Sequence, residues 1–109
     1  MLGRIPEITV EELKEKRAGE DPPVLVDVRE PLEYAISDLS DSIKIPLATL
    51  PQSLDRVPRD RDVVVYCRTG GRSGNAVQFL QQKGYGRAKN LAGGINAWAE
   101  RIDRTLRTY

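Results

Sequence analysis

The sequence predicts an α/β fold, a mostly parallel sheet with helices on both faces. Three observations predict it. Short β-branched runs alternate with segments of helical spacing. The runs recur about every 18 to 25 residues, the length of a βα unit. Pro and Gly fall between segments as punctuation and do not pool into a linker. At 109 residues the chain reads as one domain, 1–109, with one modest core. A composition 39% hydrophobic and 30% charged excludes a disordered chain.

The elements follow in order. Thr9-Val10-Glu11-Glu12 is a capping box, with Thr at the N-cap and Glu three residues on. It opens a helix to about Ala18, and Gly19 is its stop. Pro22-Pro23 break the chain before Val24–Val28, a compact β-branched run read as a buried strand. Pro31 suits the first position of a short helix, to about Ile36. Ile43–Ile45 reads as a short strand closed by Pro46. Leu47, Leu50, Leu54 and Val57 mark a helical face. Val63–Tyr66 is the strongest strand, and the polar, Gly-rich segment Cys67–Gly74 follows it. Ala76, Val77 and Leu80 define a helix ended by Gly84. Ala88–Leu91 is a strand, Gly93-Gly94 a turn, and Ile95, Trp98 and Ile102 the inner face of a last helix.

Composition excludes several chemistries. With no His there is no Ser-His-Asp or Cys-His pair and no HExxH zinc site. A single Cys excludes intrachain disulfides, CxxC redox pairs and Cys-based zinc sites, so no metal or cofactor is expected. A small protein without disulfides fits a reducing compartment, the cytoplasm. No apolar run reaches the roughly 20 residues of a membrane helix, so no membrane partner is expected. Met1–Pro6 has no apolar core of signal-peptide length. Residues 1–50 carry 6 basic and 11 acidic side chains, a net of −5, whereas residues 51–109 carry 11 and 5, a net of +6. Two readings stand: solvated faces of opposite sign, or a basic surface for an anion or acidic partner. No basic run is interleaved with aromatics, so nucleic acid is not expected.

In parallel α/β sheets, ligands bind outside the carboxyl ends of the strands. The lone Cys67 falls there, at the end of Val63–Tyr66. Gly70 and Gly71 let the next segment wrap tightly, and Ser73 can cap the following helix. Backbone amides of such a loop converge on one point, and the helix N-terminus and Arg68 and Arg72 add positive charge. All of these favour an anion at the loop centre, and the Cys67 sulfur is placed to be that anion. Its pKa is expected to fall from roughly 8.5 to near 7 or below. An inert buried thiol needs neither two Gly nor two Arg beside it.

At these residues a family likeness emerges. Cys67-Arg68-Thr69-Gly70-Gly71-Arg72-Ser73 resembles the active-site loop of the rhodanese (sulfurtransferase) family. Val26-Asp27-Val28-Arg29-Glu30, continued by Glu33-Tyr34, is similar to that family's early signature. Ile43–Pro46 is similar to its Ile-x-Ile-Pro segment, and Asn90–Trp98 to its closing signature. The segment Ile95–Asp103 is also similar to rhodanese domains fused behind sulfur-carrier adenylyltransferases. The chain departs from the family pattern at Leu39–Ile43, where no His, Pro or Gly stands, which questions that turn and the rim of the site.

The resemblance implies a five-stranded parallel sheet and covalent sulfur transfer. By carry-over Cys67 is the nucleophile and its persulfide is cradled by the backbone from Arg68 to Ser73 (Thr69, Gly70, Gly71 and Arg72 between them). Arg68 and Arg72 then attract an anionic donor such as thiosulfate. The implied acceptors are a thiol or cyanide; a sulfur-carrier protein or cysteine desulfurase is an implied partner. Asp27 and Arg29 have two readings: they orient the loop or bind donor, or they form a strand-end ion pair. Trp98 reads as a core or lid residue. Two rival functions remain. One is a non-catalytic binding or regulatory module. The other is a Cys-Arg phosphatase or arsenate reductase, whose loop is one residue longer than the one here.

Overall fold

The computed structural model describes residues 5–109; the expectation for the Met1–Pro6 stretch falls partly on Met1–Arg4, which lie outside them. Five strands form one all-parallel sheet. They are β1 (Glu7–Ile8), β2 (Val24–Asp27), β3 (Ile43–Lys44), β4 (Val63–Tyr66) and β5 (Ala88–Leu91), in the spatial order β1-β5-β4-β2-β3. The helices are α1 (Val10–Arg17), α2 (Pro31–Tyr34), α3 (Gly71–Gln82) and α4 (Gly94–Arg101). Among the described residues no helix is long and apolar enough to cross a membrane.

The two-residue period of the strands sorts their side chains onto two faces. Val26, Val63, Val65 and Ala88 meet Ala76, Val77 and Leu80 of α3 on one face. Ile8, Leu25, Val64, Tyr66 and Leu91 meet Leu13 of α1 and Ile95 and Trp98 of α4 on the other. Trp98 is therefore a core residue, with the Arg17 guanidinium over its ring. β4 is buried along its whole length at the centre of the sheet, as its unbroken apolar run requires. The strand order leaves the carboxyl ends of β2, β4 and β5 side by side, in register at Val26, Val65 and Asn90.

The capping box of α1 is complete: Thr9 Oγ1 accepts from the Glu12 amide, and Glu12 accepts from the Thr9 amide. Three expectations change. The segment with inward Leu47, Leu50, Leu54 and Val57 is not an α-helix but two 3-10 turns, Leu47–Gln52 and Leu54–Arg56. Pro51 lacks the N–H that an α-helix would aim at Leu47 and clashes with that carbonyl, so the chain tightens instead. All four apolar side chains still join the α3-side core. The short strand β1 was not anticipated; it is two residues long and half polar. The third change concerns Ser73. α3 starts at Gly71 with Gly70 as its N-cap, so Ser73 lies inside the first turn and does not cap it. Gly70 reaches φ +115°, a conformation open to glycine, and this starts the helix early.

The segment that departs from the family pattern keeps a turn by other means. Asp41 takes φ +66°, a left-handed conformation that Asp tolerates better than most residues. Ser42 Oγ donates to the Leu39 carbonyl at 2.9 Å. At the far edge, the start of α4 packs directly on the peptides following β4. The Ile95 amide donates to the Cys67 carbonyl at 2.9 Å and the Asn96 amide to the Arg68 carbonyl at 3.1 Å. Gly94, at φ +63°, permits this approach; a Cβ there would overlap the Arg68 carbonyl oxygen. Gly94→Ala is expected to lower stability by about 1–3 kcal/mol for the backbone conformation alone, with the overlap adding to it, read as a lower denaturation midpoint.

Candidate active site

The loop from β4 into α3 wraps around the Cys67 sulfur. The Gly70 amide donates to Sγ at 3.1 Å and the Ser73 amide at 3.5 Å, while Ser73 Oγ lies 3.3 Å away. Those amides belong to the N-cap and first turn of α3, so the positive end of that helix faces the sulfur. Burial pushes the Cys67 thiol up. Hydrogen bonds from the Ser73 hydroxyl and from the Ser73, Gly70 and Thr69 amides outweigh it, and the thiol ends below its ordinary value. Cys67 is 1% exposed, so a reactant approaches over the loop's rim.

Asn90 braces this cradle from β5. Its Nδ2 donates to the Gly70 carbonyl at 3.1 Å and to Glu7 at 3.3 Å, which turns Oδ1 toward Ser73. Ser73 Oγ lies 2.6 Å from that oxygen. A hydroxyl has one hydrogen, so Ser73 shares it between Asn90 and the sulfur.

The two loop arginines occupy different settings. Arg72 is held by Glu33 of α2 in a bidentate pair at 2.7 and 2.8 Å. The Arg72 hydrogen bonds hold the Glu33 carboxyl down to about 2 against the opposing effect of burial. The Arg72 charge is thus spent on a carboxylate that ties the loop to α2. Arg68 is exposed and has no carboxylate partner among the described residues. Its guanidinium lies 5.0 Å from the centre of the Tyr109 ring. Thr69 and Gly71 line the exposed part of the loop.

Asp27 and Arg29 form a strand-end ion pair with both side chains 0% exposed. All five Arg29 side-chain N–H groups are used. Nε and Nη2 donate to the Asp27 carboxylate, Nη2 also to the Ser37 carbonyl, and Nη1 to the Glu33 carbonyl and the Tyr109 hydroxyl. Burial alone would push the Asp27 carboxyl up; Arg29 and Lys44 hold it below its ordinary value. The pair touches the loop only indirectly, through α2 and Glu33. An open concavity lined by Pro23, Val24, Ser40 and Arg61 lies at the amino end of β2, away from Cys67. Among the described residues no three His, Cys, Asp or Glu side chains gather into a metal-holding group.

Four residues at this site had no functional reading from sequence. Glu33 and Asn90 stood only inside family-like segments. Gly94 was a turn residue, and Tyr109 gave no signal at all, being 80 residues from Arg29.

A buried thiol at the carboxyl edge of a five-stranded parallel sheet, ringed by amides of a strand-to-helix loop, defines a class of Cys-loop α/β proteins. The Rhodanese-like domain profile matches residues 9–101, and the chain belongs to that family. It is 45% identical over 93 residues to a sulfurtransferase of Allochromatium vinosum, covering 85% of this chain and 87% of that one. It is 35% identical over 109 residues to adenylyltransferase and sulfurtransferase MOCS3-2 of Zea mays, covering 94% of this chain but 23% of that protein. A rhodanese-like domain protein of Staphylococcus aureus superposes with a TM-score of 0.84 at 31% identity, covering 96% of this chain and 99% of that one.

Two outcomes are expected. Arg29→Met leaves the buried Asp27 carboxylate with only the longer contact to Lys44 and lowers stability by up to about 3–5 kcal/mol, measured by chemical denaturation. Ser73→Ala removes one hydrogen bond to the thiolate and raises the Cys67 pKa, read from thiolate absorbance against pH.

Proposed function

We propose that this protein is a sulfurtransferase that carries sulfane sulfur on Cys67 as a persulfide. The observation that carries the reading is the convergence of amides on the sulfur, with Gly70 at 3.1 Å and Ser73 at 3.5 Å. They stabilise negative charge where the reaction needs it, on the attacking thiolate and then on the persulfide. In the first half-reaction the Cys67 thiolate attacks the outer sulfur of thiosulfate. A new S–S bond forms, the old one breaks, and sulfite leaves with the electron pair. In the second, an acceptor such as cyanide or a thiolate attacks the terminal sulfur, and the Cys67 thiolate leaves. Neither step requires a proton, which suits a chain without His. Arg68 attracts the anionic donor; Arg72 acts through the loop it anchors, and the Arg68–Ser73 backbone cradles the transferred sulfur. Asp27 and Arg29 support the loop from beneath.

The four residues between Cys67 and Arg72, one fewer than in the Cys-Arg phosphatase loop, also weigh against phosphoryl or arsenate chemistry. The Zea mays relative joins an adenylyltransferase and a sulfurtransferase in one protein; a protein acceptor of the sulfur-carrier type, with a cysteine desulfurase as one source of persulfide, is the partner reading that the family resemblance supports.

Incubation with thiosulfate, or with a low-molecular-weight persulfide, is expected to add about 32 Da to Cys67, the mass of one sulfur, removable by cyanide or dithiothreitol. Cys67→Ser takes up no sulfur, and p-nitrophenyl phosphate is not hydrolysed. Because the reactive form is the deprotonated one and its pKa is lowered, loading rises with pH and reaches half-maximum at a lower pH than for an ordinary cysteine thiol. A protein left unmodified by both donors overturns the reading. A Cys67→Ser variant that keeps a partner while wild type transfers no sulfur points to the binding module.

A further inference from the structure

We propose that Tyr109 is a positioning residue for this site: its ring is the platform that holds the Arg68 guanidinium at the rim, so that an anionic sulfur donor is preferred over a neutral reactant. The proposal rests on Cys67 being the reactive centre and deepens that reading with a residue on which donor preference depends.

Arg68 is the loop cation with no carboxylate partner among the described residues, and it is exposed. A free arginine side chain spreads over many rotamers and contributes little directed charge. Here the guanidinium lies 5.0 Å from the Tyr109 ring centre, within cation–π range. The platform itself is fixed at four points. The Tyr109 hydroxyl donates to Glu33 Oε1 at 2.7 Å and accepts from Arg29 Nη1 at 3.1 Å. The Tyr109 carbonyl accepts from Asn96 Nδ2 at 2.8 Å, and its amide donates to Asn96 Oδ1 at 3.3 Å. The ring also packs against the α4-side core beside Leu106. One side chain therefore reaches both loop arginines, Arg68 through its face and Arg72 through Glu33. Because Glu33 keeps its bidentate hold on Arg72 without the hydroxyl, the ring face is the part that bears on donor preference.

Two variants separate the ring from the hydroxyl. Tyr109→Leu keeps apolar bulk against the core but has no π face, whereas Tyr109→Phe keeps the face and loses the hydroxyl. The first readout is the rate of Cys67 alkylation by anionic iodoacetate divided by the rate with neutral iodoacetamide, which needs no sulfur transfer. The second is KM against kcat for thiosulfate. Tyr109→Leu is expected to lower the alkylation ratio and raise KM by about two- to fivefold, the worth of an exposed cation–π contact, with kcat within about twofold. Tyr109→Phe, which keeps the ring face and its main-chain anchors on Asn96, is expected to keep an alkylation ratio and KM closer to wild type than Tyr109→Leu does. The proposal is overturned if Tyr109→Leu slows both reagents equally, if the ratio does not move, or if Tyr109→Phe is as impaired as Tyr109→Leu. If wild type does not use thiosulfate yet the ratio falls in Tyr109→Leu, the choice of donor fails and the platform stands.

Discussion

The ion pair of Asp27 and Arg29 is the constraint on which the site depends. Both side chains are wholly withdrawn from water. Such a pair is tolerable only when nearly every donor and acceptor is matched, and Arg29 matches all five of its N–H groups. The partners come from three places: the end of β2, the α2 region through the Glu33 and Ser37 carbonyls, and Tyr109. A cation that must be satisfied from all three sides fixes their relative positions. Glu33 then extends this order to the loop by gripping Arg72. The chain of contacts runs from a buried charge pair to a carboxylate, to a guanidinium, to the peptides around Cys67. The pair's value lies in specifying one arrangement more than in adding net stability.

The sulfur itself is served mainly by uncharged groups. Backbone amides and a hydroxyl lie within hydrogen-bond range, while the nearby charge of Arg72 is paired with Glu33. Fixed dipoles around a sulfur that is 1% exposed need no reorganisation when negative charge builds on it. The cradle is held from outside by Asn90 on one side and by the α4 amides on Cys67 and Arg68 on the other. The acidic and basic halves of the sequence also find a use. Arg72–Glu33, Arg61–Asp21 and Arg101–Glu11 all join the basic second half to the acidic first half. Part of the charge imbalance is thus complementarity between halves of one fold.

Much of this was legible in the sequence. The runs at Val24 and Val63 read as strands because β-branched residues buried on both faces leave few other options. The Cys67–Ser73 loop was legible because its Gly and Arg residues have no use in a core. Other parts carried no local signal. β1 is too short and too polar to show periodicity, and its pairing with β5 joins residues 7 and 90. The four inward apolar positions from Leu47 to Val57 were legible, but Pro51 changed the backbone beneath them. Ser73 has the chemistry of a cap, yet the conformational freedom of Gly70 moved the helix start and gave the hydroxyl to the sulfur and Asn90. Glu33, Asn90 and Tyr109 acquire meaning only once residues far apart in sequence are adjacent in space.

That long-range assembly has a consequence for the order in which reactivity appears. The groups around Cys67 come from α2, β4, α3, β5, the start of α4 and Tyr109, with contacts such as Glu33–Tyr109 spanning 76 residues and Asn90–Glu7 spanning 83. On a nascent chain emerging from its N-terminus, Cys67 is made well before Asn90, Gly94 and Tyr109. Until those arrive, the thiol lacks its brace and behaves as an ordinary cysteine. A thiol with a lowered pKa is a hazard in a half-folded polypeptide, and this architecture withholds that lowering until the tertiary structure closes.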